Sequence, residues 1–420
     1  MSAESQARPI LPLHHRRRAA EARAHPHGRP EAVGGRLLTG PYKVLLALAG
    51  LGFLLVIWRF AVGLGASTAL SDGYPWGLWI AFDVVTGTAL ACGGYAVAIL
   101  VYILNKGRYH PLVRPAVLTS VLGYSIAGMS IVIDVGRPWH IWKVPLFFWD
   151  WNLNSALLEV ALCIEAYVIV AFLEISPAFL ERWRDSGSWT LRRLAERALP
   201  FMDRALIWIL ALGILLPTMH QSSLGSMMLL AGPRLHPLWN TPILPLLFLI
   251  NCLALGYAAV VLESTLSTRV FGRRPDTAML STIERVAAWT SLGFVALRLG
   301  DVAVRGHASL LFRPDLYAAL FWTEIVLLSL APFAGVIGRR SYDPGRLFRG
   351  AMLLAVGGAL YRFDTYLVAF DPGPGWHYFP SVPEIFITAG LVAFEVALYI
   401  AIVKKFPILA GVKPAPAPAH

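Results

Sequence analysis

Charged residues are scarce in this 420-residue chain, at 15% against 57% hydrophobic. That excludes an ordinary soluble globular domain, whose surface needs far more charge. Cysteine is scarcer still: Cys92, Cys163 and Cys252 are the only three, each inside a different apolar run. An iron–sulfur cluster ordinarily takes four thiolates in a set spacing, so none is expected in this chain, and the cysteines read as small buried packing residues. Histidines number eleven but almost avoid the apolar runs. Only His220 lies well inside one; His110, His140, His236, His307 and His377 fall in connections. A membrane haem of the b type takes paired histidines on helices, so no haem is expected either. No connection is long enough to hold a core of its own, and the longest, 177–204, reads as a short basic loop.

What is abundant is apolar sequence in long blocks. Ten stretches approach the roughly 20 residues that cross a bilayer's hydrocarbon core, near 44–64, 78–104, 112–134, 153–176, 205–229, 243–263, 283–303, 317–337, 351–370 and 383–403. They are too long and too uniformly apolar for the alternating strands of a barrel, so the expected fold is an all-α integral membrane domain over 41–405. Pro217 and Pro245 fall within two of the runs and are read as kinks, because neighbouring helices can satisfy the freed carbonyls. Many of the fourteen tryptophans sit at the ends of runs, where the ring favours the membrane boundary. In the second run, Gly87 with Ala91 and Ala89 with Gly93 lie four apart, a spacing that lets helices approach closely.

The connections differ sharply in basic charge. Those on the side of both termini carry 27 Lys and Arg, including Arg16, Arg17, Arg18, Arg192, Arg193, Arg273, Arg274, Arg339 and Arg340. The other side carries five: Arg137, Lys143, Arg234, Arg305 and Arg313. By the positive-inside rule both termini are cytoplasmic; the expected location, a bacterial inner membrane, is a separate expectation that the charge count does not supply. The net charge of +11 is therefore a topology signal, and nucleic acid is not an expected partner. Residues 1–40 and 406–420 read as disordered tails. Arg16–Arg18 stand too far before the first run to form a twin-arginine export signal.

An ionisable side chain at the bilayer centre costs roughly 2.5 to 3.5 kcal/mol on insertion scales, so each one needs a partner or a purpose. Asp83, Tyr124, Asp134, Glu159, Glu165, His220, Glu263, Arg298, Asp301, Glu324, Arg362, Asp364 and Glu395 all fall in or at the ends of runs. Such groups can hand a proton along, or simply hold helices together. For Arg298 and Asp301, three apart on one helix, an ion pair is the favoured reading. The segment Pro217–Thr218–Met219–His220–Gln221–Ser222–Ser223 interrupts an apolar helix with polar groups and points to a pocket.

Four motifs in order carry a family resemblance: Trp76–Gly77–Leu78–Trp79–Ile80–Ala81–Phe82–Asp83, Tyr109–His110–Pro111–Leu112–Val113–Arg114–Pro115, Ile133–Asp134–Val135–Gly136–Arg137 and Leu216–Pro217–Thr218–Met219–His220–Gln221–Ser222–Ser223. They resemble the membrane subunit of hydrogenase-2-type nickel–iron hydrogenases, in the polysulfide reductase (NrfD-like) superfamily, over nearly all of 40–405. The resemblance implies a quinone-reactive subunit without a redox centre of its own. It implies two four-helix bundles, about 78–229 and 243–370, flanked by the first and last helices. It also implies partners on the periplasmic side: a ferredoxin-like iron–sulfur subunit and the hydrogenase small and large subunits. By position, the family's quinone and proton residues fall on Tyr124, Glu159, His220 and Glu263; the resemblance implies quinone binding by Tyr124, His220 and Glu159 with Asp134 and Arg137 at the outer end of the third helix, and proton transfer by Glu263, Glu159 and His220.

The residue chemistry suits that implication. A quinone, either menaquinone or ubiquinone, needs a hydrogen-bond partner at each carbonyl, an apolar slot and two protons as two electrons arrive. Tyr124 and His220 can donate to the carbonyls; Glu159 can shuttle a proton or orient His220; Glu263 is a cytoplasmic intake point. Two alternatives stand beside this reading. One is the same fold serving another iron–sulfur or molybdenum oxidoreductase. The other is a secondary transporter using the buried carboxylates, which would need no partner subunit and would bind no quinone.

Overall fold

The computed structural model describes residues 30–273, 276–338 and 343–411. Most of both tails, and Arg274, Arg339 and Arg340 of the charge count, lie outside the described residues. The chain is all-α, and among the described residues ten helices are long and apolar enough to cross a membrane: α1 (Gly40–Val62), α2 (Trp79–Ile103), α3 (Gly107–Asp134), α4 (Ala156–Arg184), α5 (Trp189–Leu229), α6 (Leu244–Val270), α7 (Thr277–Val304), α8 (Leu316–Gly335), α9 (Pro344–Val368) and α10 (Val382–Lys405). In the packing, α3 lies against α2 and α4, and α4 against α5. On the other side α6 lies against α7 and α9, and α8 against α9, while α10 holds α1. Contacts from α6 to α2 and α5 join the two sets.

Small residues set the closest approaches. A Cβ on Gly52 of α1 would stand 2.7 Å from the Cα of Gly390 on α10, so these helices touch backbone to backbone. On α6, a Cβ on Gly256 would stand 2.7 Å from the Cys92 carbonyl oxygen of α2. The small residues of α2 therefore do bring neighbours close: Ala91 fits against Gly123 of α3, and Gly93 meets the Gly256 side of α6.

Two helices change winding where polar residues sit inside. Trp79–Thr86 of α2 and Asp364–Val368 of α9 are π-helical. The wider turn places Asp83 and Asp364 in the interior, and such turns recur at functional positions.

Several expectations need correction. The segment 177–204 is no loop: α4 runs to Arg184 and α5 starts at Trp189, making α5 41 residues long. Its first sixteen residues carry Arg192, Arg193, Arg197 and Arg204, charge that a hydropathy reading assigns to a loop although a helix can extend beyond the bilayer. Pro245 lies in the first turn of α6, where a missing N–H costs nothing. Pro217 is buried within α5, which stays helical through it. Arg298 does not pair with Asp301: Asp301 pairs with Arg305 at 2.7 Å and Arg298 with Glu324 at 3.4 Å. The inner edges of the tails are ordered, with Pro30–Glu31 pairing antiparallel to Leu409–Ala410 and the Val33 N–H donating to the Val403 carbonyl.

Candidate functional site

The polar interruption of α5 faces inward. His220 and Gln221 are fully buried among α2, α3 and α4, because the apolar residues of the helix keep its remaining faces toward lipid and neighbours. His220 Nε2 lies 3.3 Å from Thr88 Oγ1 of α2, while its Nδ1 has no protein hydrogen-bond partner. Gln221 Nε2 donates to Thr88 Oγ1 at 3.0 Å and to the Tyr124 hydroxyl of α3 at 3.3 Å, and its Oε1 is unpartnered. The Tyr124 ring meets His220 edge-on, centroids 5.6 Å apart, and packs at 4.4 Å against Tyr167 of α4. Cys92 Sγ lies 3.5 Å from the Tyr124 hydroxyl. Two residues before His220, Thr218 donates to the Tyr95 hydroxyl at 2.8 Å. The result is a water-excluded cluster of hydroxyl, amide and imidazole groups with spare hydrogen-bonding capacity, suited to gripping a neutral polar headgroup.

Of the six residues put forward for quinone binding and proton transfer, Tyr124 and His220 come together, while Glu159, Asp134, Arg137 and Glu263 do not join them. Glu159 lies half-buried in the first turn of α4 and makes no hydrogen bond to His220. It stands eight residues from Tyr167, about 12 Å along the helix. Asp134 ends α3, ten residues or about 15 Å from Tyr124; one of its carboxylate oxygens is buried without a partner, and Arg59 faces it while donating to the Val135 carbonyl at 2.7 Å. Arg137 is exposed in the following loop. Glu263 lies on α6 and accepts from the Tyr399 hydroxyl of α10. Thr88, Cys92 and Tyr167 were missed as site residues. Their sequence signal is only a hydroxyl or thiol in an apolar run, which is equally a packing feature.

A second set of charges lies inside the other group of helices. Arg298 donates to the Leu238 carbonyl at 2.7 Å, Trp239 Nε1 donates to Glu324 at 3.1 Å, and Asp364 faces Glu324. Arg362 joins the two groups: it donates to Asn251 Oδ1 (2.6 Å), the Phe248 carbonyl (2.6 Å) and the Val85 carbonyl of α2 (3.0 Å). Glu395 and Asp83 approach each other from α10 and α2, and Thr388 donates to Asp83 at 3.0 Å. Glu165 is half-buried on α4. Among the described residues, no three His, Cys, Asp or Glu side chains cluster so as to hold a metal ion.

Residues 66–369 match the family described as Polysulphide reductase, NrfD. The protein is 40% identical over 395 residues, covering 91% of its own length and 96% of the relative's, to the probable Ni/Fe-hydrogenase 2 b-type cytochrome subunit of Escherichia coli (strain K12). It is 25% identical over 358 residues, 80% of its own length and 83% of the relative's, to the menaquinone reductase integral membrane subunit of Nitratidesulfovibrio vulgaris. A shorter match, 26% over 179 residues, is to the C subunit of polysulfide reductase from Wolinella succinogenes and spans 41% of this protein and 53% of that one.

The first of these names corrects the cofactor expectation. The histidine count argued against haem, yet the 40% identical relative is named a b-type cytochrome subunit, and the expectation is withdrawn. In the structure, His220 is the one described histidine buried within a membrane helix, and its neighbours are Thr88, Tyr124 and Gln221, with no second imidazole opposite. His236, for example, sits in the α5–α6 loop stacked 4.1 Å from Tyr317, where burial holds its imidazole below the usual range. The residues around His220 do not form a bis-histidine site.

Proposed function

Because this chain belongs to the polysulphide reductase (NrfD) family of multi-pass membrane proteins, we propose that it is the quinone-reactive membrane subunit of a periplasm-facing nickel–iron hydrogenase. Electrons come from the hydrogenase small and large subunits through a ferredoxin-like iron–sulfur subunit on the periplasmic side, and they reduce membrane quinone at the His220–Tyr124 cluster. The observation that carries this reading is the buried constellation of Tyr124, His220, Gln221 and Thr88 with an unpartnered imidazole nitrogen. The 40% identity to a hydrogenase-2 membrane subunit supports the choice of partner complex, and the relative named for menaquinone reduction supports the substrate.

The chemistry is proton-coupled reduction: one quinone takes two electrons from the partner and two protons from the protein side, and leaves as the quinol. The Tyr124 hydroxyl and the His220 imidazole donate hydrogen bonds to the carbonyl oxygens, where negative charge develops as electrons arrive. In a water-excluded site such donors act strongly. Gln221 and Thr88 fix the two donors through their own hydrogen bonds. Glu263 and Glu159 serve as proton carriers nearer the two membrane faces, and Asp134 and Arg137 sit at the outer end of α3 where electrons are delivered. With both termini on the cytoplasmic side, protons drawn from there would cross part of the membrane potential, worth roughly 2.3 kcal/mol per charge per 100 mV. The relatives named for menaquinone and polysulfide reduction favour a second reading, in which the same cluster serves another iron–sulfur or molybdenum oxidoreductase. Hydrogen-dependent quinone reduction in membranes, compared with hydrogen oxidation by a soluble dye, distinguishes the two: a protein of the second kind supports neither.

A further inference from the structure

The His220 cluster lies deep, and Glu263 on α6 bonds to Tyr399 and not to the cluster, so protons reaching the cluster need carriers besides Glu263. One face of α4 supplies a candidate. Tyr167, Glu174 and Glu181 follow one another at intervals of seven residues, two helical turns or about 10.5 Å each, so they line one face of the helix. Tyr167 is the inner end: its ring packs 4.4 Å from Tyr124, and its hydroxyl faces Ser120 and Glu174. Glu181 is the outer end, paired at 2.9 Å with Arg114 of α3, with both side chains partly exposed on the side of the basic connections. Arg114 also donates to the Pro407 carbonyl at 3.1 Å, which steadies this mouth.

Glu174 lies between the two ends and faces a cavity of about 70 Å³ bounded by Tyr102, Arg114, Val117, Pro177 and Leu206. That is room for water beside a carboxyl group and a guanidinium, the polar setting in which water occupies a cavity. Space for the carboxylate is left by Gly213 of α5, where a Cβ would stand 3.3 Å from its oxygen.

We propose that this cavity and Glu174 form a proton inlet of the His220–Tyr124 site, beside Glu263, with Tyr167 as the relay between cavity and site. The proposal rests on the quinone-reducing reading of that site. A proton from the cytoplasmic phase crosses the cavity on water and protonates Glu174, leaving that water unchanged. The Tyr167 hydroxyl hands its own proton toward Tyr124 as it takes one from Glu174, so the tyrosine ends unchanged. Two such transfers match the two electrons that the iron–sulfur partner supplies, and no other reactant is needed. Glu174 and Tyr167 touch no quinone; they act through Tyr124.

The test uses membranes that carry the whole complex. Hydrogen-to-quinone turnover, its KM for quinone and dye-linked hydrogen oxidation are measured for wild type, Glu174→Gln, Glu174→Asp and Leu206→Trp, the last a plug in the cavity that removes no ionisable group. The inlet predicts that Glu174→Gln slows quinone turnover at least tenfold with unchanged KM and unchanged dye activity. It also predicts partial rescue in Glu174→Asp and slowing in Leu206→Trp. Wild-type quinone turnover in Glu174→Gln overturns the inlet. If Glu174→Gln loses dye activity as well, assembly has failed, and Leu206→Trp decides in its place: slowed turnover supports the inlet and unchanged turnover overturns it. Failure of the quinone-reducing reading looks different, since wild-type membranes then pass no electrons from hydrogen to quinone.

Discussion

Replacing Tyr124 with phenylalanine separates a catalytic hydroxyl from a structural one. The ring keeps its packing on Tyr167 and His220, so only the hydroxyl contacts are lost. These are long: 3.3 Å from Gln221 Nε2 and 3.5 Å from Cys92 Sγ. Gln221 retains Thr88 at 3.0 Å. The folded protein should therefore lose no more than about 1 kcal/mol, the net worth of one ordinary hydrogen bond. If the hydroxyl stabilises charge on a quinone carbonyl in a site without water, its loss costs the reaction about 2 to 3 kcal/mol, or a roughly 30- to 150-fold fall in rate. Tyr124→Phe membranes should then show quinone reduction by hydrogen lowered by that factor. Dye-linked hydrogen oxidation and the melting temperature of the detergent-solubilised complex should hardly change. An unaltered quinone rate would refute the reasoning, as would a parallel fall in quinone rate, dye rate and melting temperature.

Two further outcomes follow from the same geometry. Arg362→Met keeps the volume but strands Asn251 and two backbone carbonyls that tie α9 to α2 and α6. It should cost about 3 to 5 kcal/mol, read as a lower melting temperature and less protein in the membrane, with quinone and dye activities falling together. Glu263→Gln should reduce turnover while leaving quinone affinity intact if Glu263 carries protons; full activity in that variant would remove it from the pathway.

The membrane fold was legible because hydropathy over some 20 residues reports the one constraint a bilayer imposes. The same measure failed at residues 189–204, where the helix continues with charged side chains, since a helix that has left hydrocarbon no longer shows in hydropathy. The functional cluster was legible in part. His220 stood out because an imidazole in an apolar helix is costly, and Tyr124 through family resemblance. Glu159 and Asp134 stand about two to three turns from the cluster along α4 and α3, and Arg137 lies in the loop beyond, so their depth, which the sequence does show, already sets them apart from His220. Arg298 shows a limit of another kind, since the face a helix presents to a neighbour is not readable from sequence. Its spacing from Asp301 suggested a pair, but packing turned it to Glu324 on the next helix and gave Asp301 to Arg305. Glu174 passed unnoticed because its meaning comes from Gly213 and a cavity assembled from four helices.

The central claim is that His220 serves quinone. Its most direct test is quinone reduction by hydrogen in membranes carrying His220→Ala, measured beside dye-linked hydrogen oxidation in the same membranes. The account predicts that dye reduction survives and quinone reduction is lost. Survival of both at wild-type rates would contradict it, leaving His220 a packing residue and the quinone site elsewhere.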